Sequence, residues 1–222
     1  VTGTQTLGER ARAIRLNPSA AQRVFDQLLD SLARPGTLAQ LEFPPGVPPA
    51  SLPAVALADV EVRVAVLEDG AGWADPVYAV TGAPPATAAE ADMVVALRPV
   101  TAKEVTTLRR GTAYAPEDGA RLVIAVERLD AETGPLRLAL SGPGVPGERT
   151  VAVTGLDNTV VTALARVNSD FPAGVDVHLV AADGVLVSVP RSVRIRIAEP
   201  TESAHDTAQE MAHETAQERK VL

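Results

Sequence analysis

The sequence predicts an α/β fold, a mixed and mostly parallel sheet flanked by helices. Three observations predict it. Two continuous apolar runs, DMVVAL at 92–97 and RLVIAVE at 121–127, have the length and composition of buried central strands. Segments with helical periodicity alternate with such runs, which is the order of an α/β domain. Consecutive strand patterns near 136–153 and 175–197 add antiparallel pairing and make the sheet mixed.

Residues 1–16 are polar and arginine-bearing and are read as an arm or irregular lead-in. A helix is expected over 19–34, with Val24, Phe25, Leu28, Leu29 and Leu32 as its buried stripe. Ser19 and Gln22 have capping-box spacing, and Asn17-Pro18 offers an alternative start. The helix stops at Arg34-Pro35-Gly36-Thr37, where proline pushes the preceding residue out of the helical region. A strand near 38–43 and a proline-rich linker at 44–49 follow, then a short helix near 51–58. Val60, Val62, Val64 and Val66 alternate along a strand from 60 to 67 with one buried face. Val77–Thr81 reads as a further strand.

Thr101 and Glu104 form a capping box for a helix reaching about Arg110, with Gly111 as its stop. Leu136–Leu140 and Arg149–Val153 flank a glycine-rich loop at 141–147 as a hairpin. A helix from Asp157 to Asn168 and strands at 175–180, 185–189 and 193–197 complete the body. Residues 199–222 repeat HDTAQE as HETAQE without an apolar stripe, which reads as a solvated low-complexity tail.

At 222 residues the chain is long enough for one sizeable core. Aromatics make up 3% of it, so that core must be built from Val, Leu and Ala. The formal charge is −8, half of it in the tail, and the arginines are scattered, which disfavours a nucleic-acid footprint. No apolar run approaches the roughly 18 residues of a membrane span. Without a charged segment leading into an apolar block, no secretory signal is expected, and the expected location is cytoplasmic.

Absent residue types exclude chemistry. With no cysteine there is no thiolate nucleophile, zinc–thiolate site or iron–sulfur cluster. Lysine occurs only at Lys103, in a first helical turn, and Lys220, in the tail, so a pyridoxal phosphate Schiff base has no plausible anchor. His178 is the only histidine outside the tail, and the eight-residue spacing of His205 and His213 does not align on a helix. The loop at 141–147 lacks the lysine and following helix of a phosphate cradle and reads as a wide hairpin turn. Asp176 and His178 share one face of a strand. They could form an acid–base pair, but the favoured reading is the polar face of a half-buried strand. Phe171 is expected to bury against the core, Gly174 to allow a tight turn, and Asp176 to accept backbone N–H groups. Glu117 and Asp118 are expected in solvent.

Five segments in order resemble one family: AQRVFDQLLDSLARPGT (21–37), GTAYAPEDGA (111–120), LSGPGV (140–145), FPAGVDVHLV (171–180) and VSVPRSVRIRI (187–197). They are similar to the landmarks of the H subunit of the bacterial carbon–phosphorus lyase system, the PhnH family. The resemblance covers residues 17–198 as one domain, between the 1–16 arm and the 199–222 tail. It implies a fold similar to the large domain of pyridoxal phosphate-dependent transferases without the cofactor lysine. It also implies a cytoplasmic subunit, with no cofactor, metal or active site of its own, acting beside subunits G, I and J in phosphonate catabolism. That assembly attaches a phosphonate to ATP-derived ribose triphosphate before radical cleavage, a step whose cysteines belong to the J subunit. A homodimer is implied for the isolated subunit. The family-motif positions with an interface or structural role are Arg34, Pro35, Gly36, Thr37, Pro116, Glu117, Gly142, Gly144, Phe171, Gly174 and Asp176. The competing expectation is an independent small α/β transferase acting on a phosphorylated substrate through Arg34, Asp176 and His178.

Overall fold

The computed structural model describes residues 6–198. The tail repeat and the first five residues lie outside them. Among these residues six α-helices and two short 3-10 helices accompany ten strands in two sheets, an α/β arrangement whose larger sheet is mixed and mostly parallel.

The larger sheet is built around β2 (Val64–Leu67), β3 (Met93–Ala96), β4 (Arg121–Val126) and β8 (Asp176–Ala181), all parallel. β9 (Val185–Val189) and β1 (Ala39–Gln40) add antiparallel strands at one edge. Both apolar runs that predicted central strands occupy the middle, and β3 is buried at all four residues because protein covers both its faces. The smaller sheet is antiparallel, in the order β10 (Arg194–Ile197), β6 (Leu136–Gly142), β7 (Val145–Thr154) and β5 (Arg128–Asp130). The 136–153 hairpin was legible in the sequence. β5 was not, and the hairpin's strands extend further inward than expected, leaving Pro143-Gly144 at the tip.

Side chains alternate across the larger sheet into two cores. On one face Met93, Val95, Val123, Val180 and Leu186 meet α1 (Leu7–Ile14), α2 (Pro18–Ala33), α3 (Leu52–Leu57) and α4 (Ala74–Thr81). On the other, Val94, Ala96, Leu122, Ile124, Val177 and Leu179 meet α5 (Ala102–Thr107), α6 (Asn158–Val167) and the inner face of the smaller sheet.

Several expectations are corrected. Leu7–Ile14 is helix rather than irregular chain. Thr6 and Glu9 cap it reciprocally, Ile14 is fully buried, and Arg10 stacks 5.3 Å from the Trp73 ring. Val77–Thr81 belongs to helix α4, whose Val77 is buried while Tyr78 reaches back to the β2 backbone. Val60 is 72% exposed, because residues 60–63 turn before β2 begins and the valine alternation there never meets a sheet. The 44–49 segment does more than link, since Val47 and Pro49 are buried against the core. The capped helix at Thr101 forms as expected but ends at Thr107, and the one at Asp157 forms with Asp157 accepting from the Thr159 amide. Arg98, opposed by burial and helped by Thr101, holds the Glu104 carboxyl down to about 2.

α2 starts from Asn17, whose Oδ1 accepts the Ala20 amide at 2.9 Å, rather than from Ser19. Its buried stripe is Val24, Leu28 and Ser31, and Phe25 and Leu29 face outward at 46% and 55% exposure. Periodicity gives the width of an apolar face, and the sheet beneath α2 accepts only one side of it. Leu28→Ala is therefore expected to cost about 2–4 kcal/mol and Leu29→Ala within about 0.5 kcal/mol of nothing. Chemical denaturation of the two variants checks this. Equal losses would restore the broader stripe.

Candidate functional site

The landmark segments, distant in sequence, meet at two joints, one between the sheets and one at the end of the larger sheet. At the first, the backbone N–H of Arg34 closes α2 on the Asp30 carbonyl, and Pro35 and Gly36 turn the chain inward, both buried. The Gly36 amide donates to the Ser188 carbonyl on β9. Arg149 on β7 donates through Nη1 to the Pro35 carbonyl at 2.8 Å and to Thr37 Oγ1 at 2.7 Å. Gly144, at the hairpin tip, lies so close that a Cβ there would sit 2.6 Å from the Ala33 carbonyl oxygen and 2.8 Å from Pro35 Cδ. Gly142 likewise faces the Ser192 carbonyl. The helix stop and the glycine loop are two halves of one joint. Among the described residues Arg34's own guanidinium reaches only Asp30, at 2.7 Å in an exposed pair of little energetic weight.

The second joint is centred on Arg191, in the connection from β9 to β10. Asp176 accepts the Arg191 amide at 2.9 Å, Nε at 3.2 Å and Nη2 at 2.8 Å, while Nη1 donates to the Pro116 carbonyl. Burial pushes the Asp176 carboxyl up, but these donors and the Arg191 charge outweigh it and hold it below its ordinary range. Gly174 donates to the Arg110 carbonyl at 2.7 Å, and Asn168, at the end of α6, brackets Val175 through both backbone groups. Side chains at Gly119 or Gly174 would collide with Arg191 or its neighbours. Asp176 thus accepts a backbone N–H as expected, from Arg191. Glu117 and Asp118 are exposed, Asp118 facing Arg109 at 3.7 Å.

His178 departs from the half-buried polar face. It is fully buried between the larger sheet and the helical layer, with Nδ1 2.7 Å from Ser188 Oγ and no hydrogen-bond partner on Nε2 among the described residues. Burial, with the Arg121 charge assisting and Asp176 opposing, drives its pKa down to about 3. The unfolded chain takes up this proton near the ordinary 6.5, and the folded chain does not until about 3. Its contribution is complete above pH 6.5 and is lost as pH falls toward 3. Melting temperature should therefore fall between pH 6.5 and 4.5, above the carboxylate range. The slope should flatten in His178→Asn, and an unchanged slope would remove His178 as its source.

Phe171 is 63% exposed, not buried, because residues 169–174 turn across the surface instead of inward. It borders a cavity of about 650 Å³ between the end of α6 and β10, where Asn168, Ser169, Ser192, Arg191, Arg194 and Arg196 supply polar groups. Arg196 pairs with Glu148 at 2.7 Å, and Arg194 has no carboxylate partner among the described residues.

Arg34, Asp176 and His178, the trio of the transferase expectation, serve three separate arrangements: Asp30, Arg191 and Ser188 respectively. Asp176 and His178 each hold a different partner, so no acid–base pair forms between them. Sequence reasoning missed Arg149, Ser188, Asn168 and Arg191 as joint residues. Arg191 lay within a quoted landmark, but no local spacing marks Arg149.

Comparison with known proteins gives a consistent result. The model of the family described as "Bacterial phosphonate metabolism protein (PhnH)" matches residues 14–196. "Putative C-P lyase subunit protein HtxG" of Stutzerimonas stutzeri is 37% identical over 91 residues. That match covers 41% of this chain and 45% of the relative, less than half of its length. "Alpha-D-ribose 1-methylphosphonate 5-triphosphate synthase subunit PhnH" of Rhizobium meliloti (strain 1021) is 26% identical over 189 residues, covering 79% of this chain and 90% of that protein.

Proposed function

Because the chain belongs to the PhnH family of bacterial phosphonate metabolism proteins, we propose that it is a non-catalytic, scaffolding subunit of a carbon–phosphorus lyase core complex. The single observation that carries the proposal is the family match running from 14 to 196, which takes in both joints. The printed names of the two relatives, each a subunit of such a system, support it. So does the packing of several landmark residues: Pro35 and Thr37 hold Arg149 of β7, Gly144 lies against the end of α2, and Asp176 holds Arg191.

The proposal extends to subunits G, I and J as partners, to a homodimer when the subunit is alone, and to a cytoplasmic location. No helix among the described residues is long and apolar enough to cross a membrane. The likeness to the pyridoxal phosphate-dependent transferase domain is also part of the proposal. Lys103, exposed in the first turn of α5, faces solvent rather than a cofactor pocket. Co-expression with subunits G, I and J and size-exclusion chromatography test the reading. Co-elution in fixed stoichiometry is expected, and separate migration at every salt concentration would overturn it.

A further inference from the structure

The smaller sheet has one face in the core and one outside. Leu138, Leu140, Val151 and Ile195 turn inward, so the pleat turns Arg137, Glu148, Arg194 and Arg196 outward. On the neighbouring strand β5, Leu129 is buried and Arg128 and Asp130 join the outer face. Two of these four arginines are already satisfied, Arg196 by Glu148 and Arg128 by Asp130. Arg137 and Arg194 pair with no carboxylate among the described residues. Arg194 is exposed, and Arg137 Nε is buried without a hydrogen-bond partner among those residues. The face thus carries two uncompensated cations on a chain of net charge −8.

The acidic tail begins at this face. The Ala198 amide donates to the Arg137 carbonyl, and residue 199 follows directly. Residues 199–222 hold six acids and two bases, and Glu202, Asp206, Glu210, Glu214 and Glu218 recur at every fourth position. Arg194 lies opposite Ser141, four residues along β6 from Arg137, so the two cations stand roughly 13 Å apart along the strand.

We propose that residues 199–222 dock by charge on the outer face of the smaller sheet, their carboxylates pairing with Arg137 and Arg194. Each such pair is weak on its own at an exposed surface. The covalent tether raises the local concentration of carboxylates, and their four-residue recurrence brings one within reach of each cation in several registers. An acidic partner protein would have to supply the same charge without the tether. The contact belongs to the chain alone and does not depend on its role in a complex.

Carbodiimide coupling, which joins an amine to a carboxylate in contact with it, tests this in the full chain carrying Arg194→Lys. The sequence has only two lysines, Lys103 and Lys220, so the background is small. Peptide mapping should find the introduced amine joined to Asp206, Glu210, Glu214 or Glu218 of the same molecule. Salt at about 0.5 M should lower that yield roughly threefold, because exposed pairs are screened. Adding Arg137→Gln, which removes the neighbouring cation, should lower it roughly twofold. A yield unchanged by salt or by Arg137→Gln would mean that tethering alone brings the groups together, and overturns the docking. So would tail carboxylates joined to the introduced amine no more often than to Lys103, exposed on α5. Links made only between molecules would identify a second copy as the occupant and overturn the assignment to the chain's own tail.

Discussion

Replacing Arg191 with methionine is expected to destabilise the fold by about 3–5 kcal/mol, a drop in melting temperature on the order of 10 °C for a chain of this size. The Arg191 side chain is 13% exposed and that of Asp176 22%. Removing the cation leaves a carboxylate in a desolvated joint with one backbone donor, and frees the Pro116 carbonyl as well. The cost comes from the stranded charge more than from the lost attraction. The double variant Arg191→Met, Asp176→Leu should therefore recover most of the loss, since a matched apolar pair strands nothing. Thermal melts of the three proteins decide it. A double variant as unstable as the single one would mean that geometry, and not charge balance, holds the joint.

Gly144→Ala carries the second large effect. The residue sits at φ +78, where a side chain costs about 1–2 kcal/mol. Its Cβ would also press into the Ala33 carbonyl and Pro35 ring, adding about 1–3 kcal/mol of overpacking. Gly147, three residues further along the same hairpin, is a built-in control. Its φ is +68, but nothing lies within 4 Å of its Cβ position, so Gly147→Ala should show the backbone cost alone. Equal losses in urea denaturation would mean that the hairpin tip and α2 are not in contact.

Most elements were legible in the sequence where one physical cause dominated. β3 and β4 announced themselves because strands covered on both faces are uniformly apolar. The capping box at Thr101 is local chemistry that needs no tertiary partner. Val77–Thr81 misled because β-branched residues suit either a strand or a buried helix face, and only packing decides; the alternation from Val60 began before the sheet does, so only its Val64–Leu67 half became a strand. Phe25 and Leu29 looked internal because a helix with a wide apolar face does not disclose which side meets the sheet. The joints were visible as segments and hidden as contacts. Arg149 reaches Pro35 across more than a hundred residues, and nothing near Arg149 in sequence foretells it. Asp176 could be named from the sequence as a polar residue accepting backbone N–H groups, but its partner Arg191 could not, because nothing local pairs two residues fifteen apart in different elements.

The account holds that the landmark residues build the subunit and do not perform chemistry. Growth on a phosphonate as sole phosphorus source tests this most directly, in a host lacking its own H subunit and supplied with His178→Asn or the Arg191→Met, Asp176→Leu pair. The prediction is that growth follows the amount of assembled complex, so a variant that assembles at the wild-type level grows at the wild-type rate. Full assembly with growth abolished would contradict the account and return Asp176 and His178 to catalysis.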